Sequence, residues 1–209
     1  MNDLAGKSLV VTGATSGIGR AAAIRLATHG ARLTLVGRNP ERGAEIEREV
    51  RALGADARLE LVDLAHTGAM QRLIERTVAV YGQVDGAVLS AAEMPSATAM
   101  VPFAQLDDPS IEHGLLSEVR SAAHALRAVL RQMLSQPPAD RAIVVVSSIN
   151  GIGAAAGAAL YSASKGAVIA LTVAILIARR RSGDYLGRLV TAFDRQDRLE
   201  GSRVIRFIL

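Results

Sequence analysis

The sequence predicts a doubly wound α/β fold, a parallel sheet with helices on both faces, and three observations carry that expectation. Apolar runs alternate with longer segments of helical periodicity along most of the chain. The runs are rich in Val, Leu and Ile with little polar alternation, as strands buried on both faces require. Glycine and proline stand at the junctions where helices begin and end. With 209 residues and 50% hydrophobic side chains, the chain can fill one sizeable core.

The elements follow in order. Ser8 to Thr12 reads as a strand, a glycine-punctuated turn follows, and Ile18 to His29 reads as a helix. The pattern repeats as strand Arg32 to Gly37, helix Glu41 to Leu53, strand Ala57 to Val62, helix Thr67 to Tyr81 and strand Gly86 to Ser90. A long helix from about Ser110 to Ser135 and a strand from Ala142 to Ser147 come next. Gly30 and Gly54 sit where left-handed helix ends are wanted, and Pro40 and Pro109 sit near helix starts. Pro137 and Pro138 break the chain before the fifth strand. Ala154 to Ala159, rich in small residues, is expected to be a close-packed loop leading into a last helix. That helix, over Gly166 to Ala178, is hydrophobic around most of its circumference and must be buried on several sides.

Charge divides the chain at Ala178. Residues 1–178 carry 16 basic and 16 acidic side chains, whereas the last 31 residues hold eight arginines against four carboxylates and so supply the whole net charge of +4. This splits the sequence into a domain over 1–178 and a basic, divergent tail over 179–209. The tail lacks the aromatic interleaving of a nucleic-acid surface, and no nucleic-acid partner is expected. The chain has no cysteine, which excludes a disulfide scaffold, a thiolate zinc site and a cysteine nucleophile. The four histidines have no metal-ligand spacing, so no metal is expected. Residues 1–11 lack the charged and apolar regions of a signal peptide, and the longest apolar run, 167–178, is too short to span a bilayer. A cytoplasmic protein with no membrane partner is the expectation.

Three motifs carry chemistry. The first strand-to-helix turn reads Thr12-Gly13-Ala14-Thr15-Ser16-Gly17-Ile18-Gly19, with glycines placed so that backbone can approach a pyrophosphate at a helix N-terminus. Arg20 follows where a P-loop would have lysine, which disfavours an NTPase. The second strand ends in Gly37-Arg38, with no carboxylate for a ribose 2′-hydroxyl. An arginine there suits a 2′-phosphate, so NADP(H) is expected over NAD(H). Asp63 ends the third strand at the same sheet edge, placed either to accept from an adenine amino group or to cap the next helix.

The strongest constellation is Ser148, Tyr161 and Lys165. The last two are four residues apart and share one helical face. A nearby ammonium favours the phenolate form of a tyrosine, which lets such a tyrosine exchange protons near neutral pH, while a serine hydroxyl holds the substrate oxygen. Lys165 is one of only two lysines against 22 arginines, which argues against an incidental surface charge.

With these motifs together, residues from about Lys7 to Thr172 resemble the classical short-chain dehydrogenase/reductase family and its Rossmann-type fold. The resemblance implies that Gly13, Ser16, Gly17, Ile18 and Gly19 line the cofactor phosphates, that Arg38 selects NADP(H), and that Asp63 and Leu64 flank adenine. Ser148, Tyr161 and Lys165 would be the catalytic set, with Tyr161 protonating a carbonyl oxygen as hydride arrives. Tyr161 and Lys165 would also touch the cofactor, Lys165 through the nicotinamide ribose. A small-molecule carbonyl or alcohol is the implied substrate. A homodimer or homotetramer is the implied assembly, with burial of the last helix against the chain's own sheet as the alternative.

The departures are as informative. Where the family has Asn-Asn-Ala-Gly, supporting the adenine ribose and the central strand, this chain has Ser90-Ala91-Ala92-Glu93. Counting back from Met133, the family's structural asparagine falls at Glu118, a carboxylate that would neutralise Lys165. Beyond Thr172 no sixth strand, Pro-Gly loop or substrate lid can be read, so the last strands are expected to be missing and the fifth strand to lack a neighbour. Val204 to Leu209 reads as at most one short strand. A second reading therefore stays open beside the enzyme: a non-catalytic or vestigial dinucleotide-binding protein without a complete substrate pocket.

Overall fold

The computed structural model describes residues 3–92, 101–182, 188–194 and 206–207, with side-chain surroundings as far as Ile175. The β-α alternation appears as β1 (Ser8–Thr12), α1 (Gly17–Ala27), β2 (Arg32–Gly37), α2 (Pro40–Ala52), β3 (Ala57–Leu61), α3 (Ala69–Tyr81) and β4 (Gly86–Leu89). A 3-10 turn at Phe103–Gln105 precedes α4 (Asp108–Ser135), β5 (Ala142–Ser148), the short α5 (Asn150–Gly153) and α6 (Ala159–Ser182). The described chain closes with β6 (Arg188–Asp194) and β7 (Arg206–Phe207).

The strands form one sheet in the order β3-β2-β1-β4-β5-β6-β7. Pairing is parallel from β3 across to β6, and β7 runs antiparallel to β6. The five strands and flanking helices read from the sequence are all present. One expectation is corrected: β5 does have a neighbour, because β6 pairs with it over seven residues, from Ala142↔Arg188 to Ser148↔Asp194. The physical reason is legible afterwards, since Leu189 to Phe193 is an unbroken β-compatible run between Gly187 and Asp194. Of Val204 to Leu209, only Arg206–Phe207 is described, and the rest of that expected strand lies outside the described residues.

Alternation along each strand sends side chains to two cores. Val10, Val36, Ala87, Ile143 and Val145 meet α3, α4 and α6 through Leu73, Ile74, Leu126, Val129 and Val168. Leu9, Val11, Leu33 and Leu35 meet α1 and α2 through Ala23, Ala27, Ile46 and Val50. The apolar circumference of the last helix is resolved in this way: Val168 and Thr172 are buried, Leu171 and Ile175 pack on the first core, and alanines such as Ala167, Ala170 and Ala174 face outward.

The ends of the helices are fixed by side chains near the sequence signals. Asn39 accepts a hydrogen bond from Arg42 N at the start of α2, where Pro40 occupies the first turn, and Asp107 accepts from Ser110 N at the start of α4. At the other end of α4, Gln136 donates to Val84 O and accepts from Val84 N, both at about 3 Å. Those two bonds tie the end of α4 to the segment that leads into β4. Gly30 and Gly54 both have positive φ, as expected of helix ends.

Candidate active site

Strand order reverses at β1, whose neighbours are β2 on one side and β4 on the other. Helices leaving the two sides diverge there, which opens a crevice at the carboxyl ends of the strands. A cleft of about 590 Å3 occupies this position. It runs from Arg38 and Asp63 at the ends of β2 and β3, past the first glycine turn, to Tyr161 and Lys165 on α6.

The middle of the cleft is a backbone surface. Gly13 has φ +68°, and a Cβ there would lie 2.9 Å from Ser90 O. At Gly19 a Cβ would run into the carbonyl of Gly13 and come within 2.7 Å of Ser90 Oγ. These two glycines are required so that the turn, α1 and the end of β4 can touch. Gly17 differs: its φ is +50° and nothing lies within 4 Å of its Cβ position, so its backbone borders open space. Ser16, the residue before α1, makes no side-chain hydrogen bond to its own helix, which leaves the first turn of α1 facing the cleft without a cap. An uncapped helix N-terminus beside open space suits an anion. Ser16, Gly17 and Ile18 line the cleft, while Gly19 lies behind them and holds the packing.

Ser90 replaces an amide in the family pattern and takes over a bracing task. Its N–H donates to Thr12 Oγ1 and its hydroxyl donates to Thr12 O, both at 3.0 Å. The ends of β1 and β4 are thereby held together at the cleft floor. Glu93 lies outside the described residues.

At the β2 end, Arg38 lines the cleft together with Arg42, a residue that reading the sequence did not single out. Its signal was available: Arg42 lies four residues after Arg38, in the first turn of a helix whose start is marked by Asn39-Pro40. Asp63 and Leu64 line the same end. Asp63 Oδ1 accepts from Ala65 N at 3.0 Å, and Gly68 rather than Asp63 precedes α3. Asp63 therefore orders its own loop and does not cap the helix.

At the other end the charged groups are buried. Lys165 is 3% exposed and Glu118 8%, and Lys165 Nζ forms a direct ion pair with Glu118 Oε1. The asparagine-equivalent position in α4 thus does face the lysine. The Ser164 hydroxyl donates to Tyr161 O at 3.0 Å and lies 3.4 Å from the second carboxylate oxygen. Lys165 Nζ also stands 5.5 Å from the centre of the half-buried Tyr161 ring. Removing one partner of a buried ion pair typically costs about 3–5 kcal/mol, because the other charge is stranded.

Both serines that end β5 are buried, in different roles. Ser147 lines the cleft and donates to Lys165 O at 3.0 Å, pinning the lysine's backbone. It was missed in the sequence, where the Ser-Ser pair suggested only its second member. Ser148 is 4% exposed, lies just outside the cleft lining, and accepts from Asn150 N at 3.2 Å. The loop 154–157 is exposed rather than close-packed. Gly157 serves backbone conformation instead, with φ +75°, whereas Ala154 holds φ +52° despite its Cβ. Among the described residues there is no cluster of side chains able to hold a metal ion, and no helix long and apolar enough to cross a membrane. The side chains of the eight tail arginines lie outside the described residues.

The chain is similar to known proteins. A 3beta-hydroxysteroid dehydrogenase of Mediterraneibacter gnavus is 35% identical over 82% of this chain, and the chain spans 60% of that protein's length. The crystal structure of an NAD+-bound xylitol dehydrogenase superposes with a TM-score of 0.79 at 31% identity, covering 86% of this chain and 67% of that one. A metagenomic short-chain oxidoreductase in complex with NADP gives a TM-score of 0.78 at 29% identity, covering 90% and 82%. Residues 7–179 match the short chain dehydrogenase family. A parallel sheet with a glycine turn at its switch point, and a match across most of the sequence, lead to one conclusion: the chain belongs to the short-chain dehydrogenase family.

Proposed function

We propose that the chain is an NADP(H)-dependent oxidoreductase that interconverts a small-molecule carbonyl and a secondary alcohol, with Tyr161 as general acid and base. The observation that carries this reading is the single cleft that joins Arg38, the uncapped start of α1, and Tyr161 with Lys165. Its parts fit the parts of a dinucleotide in order. Arg38 and Arg42 suit an adenosine 2′-phosphate, since a guanidinium matches phosphate oxygens with paired donors. Asp63 and Leu64 flank the adenine. Gly13, Ser16, Gly17 and Ile18 present backbone to the pyrophosphate, and Gly19 with Ser90 keeps that backbone in place. Lys165 and Tyr161 meet the nicotinamide nucleoside.

When bound, the cofactor supplies or accepts the hydride. In reduction the Tyr161 hydroxyl gives its proton to the substrate oxygen, and in oxidation the phenolate takes it back. Lys165 keeps a positive group beside the ring, held by Glu118 and by the Ser147 hydrogen bond to its carbonyl. Ser148, whose Oγ accepts from Asn150 N beside the cleft, is the group assigned to orient the substrate oxygen. The names of two similar proteins, a hydroxysteroid dehydrogenase and a xylitol dehydrogenase, both describe oxidation at an alcohol carbon.

The test is a fluorescence titration of the purified chain with NADPH and NADH, followed by a screen for carbonyl-dependent NADPH oxidation. Saturable binding that favours NADPH, with turnover on at least one ketone or aldehyde, is the expected result. A folded chain that binds neither nucleotide would remove the reading.

A further inference from the structure

The buried Glu118–Lys165 pair is the unusual feature of the cleft, and its consequence is electrostatic. Five charged side chains line the cleft among the described residues: Arg38, Arg42 and Asp63 at one end, and Glu118 with Lys165 at the other. The Tyr161 end therefore holds one cation and one anion in direct contact, both almost wholly removed from solvent. A neutral amide at position 118 could accept a hydrogen bond from the ammonium, but it would leave the positive charge uncancelled. A carboxylate cancels it.

The two redox forms of a nicotinamide differ in charge at the ring: the oxidised ring is cationic and the reduced ring neutral. A lone ammonium in a dry wall is weakly screened and repels a neighbouring cation. From this juxtaposition we propose that Glu118 is a charge-balancing positioning residue, whose carboxylate holds Lys165 beside Tyr161 and keeps the site neutral enough to accept the oxidised, cationic cofactor. The inference rests on the cofactor reading above and deepens it. Glu118 is itself well placed for the task, because it is 8% exposed and one of its carboxylate oxygens pairs directly with Lys165 Nζ.

The measurement is the ratio of dissociation constants for NADP+ and NADPH, taken by titration without substrate, so that it reads binding and not turnover. In Glu118→Gln the ratio rises by about tenfold in favour of NADPH. Glu118→Asp, which keeps the charge, stays within about twofold of the starting protein. Lys165→Met strands the carboxylate and moves the ratio the other way, and the double variant Glu118→Gln/Lys165→Met brings it back. A purely structural role would weaken both forms equally and leave the ratio unchanged in every variant. That result, or a shift of the same sign in both single variants, overturns the proposal. The opposite-sign arm keeps the test decisive if Glu118→Gln does not fold. Absence of binding of either form to the unaltered chain is a separate outcome, which overturns the cofactor reading and this inference with it.

Discussion

The two ends of the cleft are built on opposite principles. Around Arg38 and the glycine turn the surface is backbone and exposed cation: Gly17 borders open space, α1 starts uncapped, and Arg38 and Arg42 stand on the cleft wall. Around Tyr161 the chemistry rests on buried charge braced from three elements, with Glu118 from α4, Ser147 from β5 and Lys165 from α6. The first end needs little beyond a strand, a turn and a helix start, all local in sequence. The second needs residues 47 apart, Glu118 and Lys165, brought into contact by the packing of two long helices. A backbone surface can be made by a short stretch of chain, whereas a buried ion pair must be enclosed and so draws on distant segments.

Substitutions can break this contrast at either end. The largest effect is expected from Tyr161→Phe, which removes the proposed proton donor while keeping the ring: turnover falls by about 100-fold or more, with the NADPH dissociation constant within about twofold, as steady-state kinetics beside a titration would show. If turnover survived, the buried end would not be the site of proton transfer. Gly19→Ala comes next, since its Cβ collides with the Gly13 carbonyl. It should cost about 1–3 kcal/mol of stability in a denaturant melt and abolish nucleotide binding, because backbone in a packed turn cannot yield as a side chain can.

Arg38→Ala acts on exposed charge and should do less. We expect NADPH to bind roughly tenfold more weakly while NADH is unaffected, a difference that isolates the 2′-phosphate. Equal loss for both nucleotides would place Arg38 elsewhere than at that phosphate. The smallest effect lies far from the cleft, at Tyr81, whose hydroxyl pKa is pushed up to about 12 by burial and by the nearby Asp56 carboxylate. The folded chain keeps this proton above pH 10, where the unfolded chain gives it up, so Tyr81 favours folding below about pH 10 and that contribution is lost as pH rises towards 12. Thermal melts of Tyr81→Phe should decline less steeply than those of the unaltered chain over this window.

Local signals made much of this protein legible. The glycine turn, the Gly37-Arg38 strand end and the Tyr161–Lys165 spacing each lie within a few residues, and each lines the cleft. Less visible were partners set by packing. Ser147 gained its role only because the Lys165 carbonyl comes to lie 3.0 Å away, and Arg42 only because the first turn of α2 faces the cleft. The sixth strand was overlooked because arginines and polar residues around Leu189 to Phe193 obscured an apolar run that the sheet nevertheless accepts beside β5. In the loop 154–157 the small residues resembled close packing, yet they serve a turn in the open.

The sequence by itself determined the layering and the order of the elements, because the periods of strand and helix and the turn residues act over a few positions. It also determined where the glycine turn would lie, since that turn is a local backbone shape. Tertiary structure alone decided that Ser147 pins the Lys165 carbonyl, that Ser90 braces β1 against β4, and that β5 is covered by β6. Those outcomes depend on how far one helix slides past another and on which strand edge is left free. Such distances are set by the sum of many packing contacts across the core, and no short stretch of sequence contains that sum.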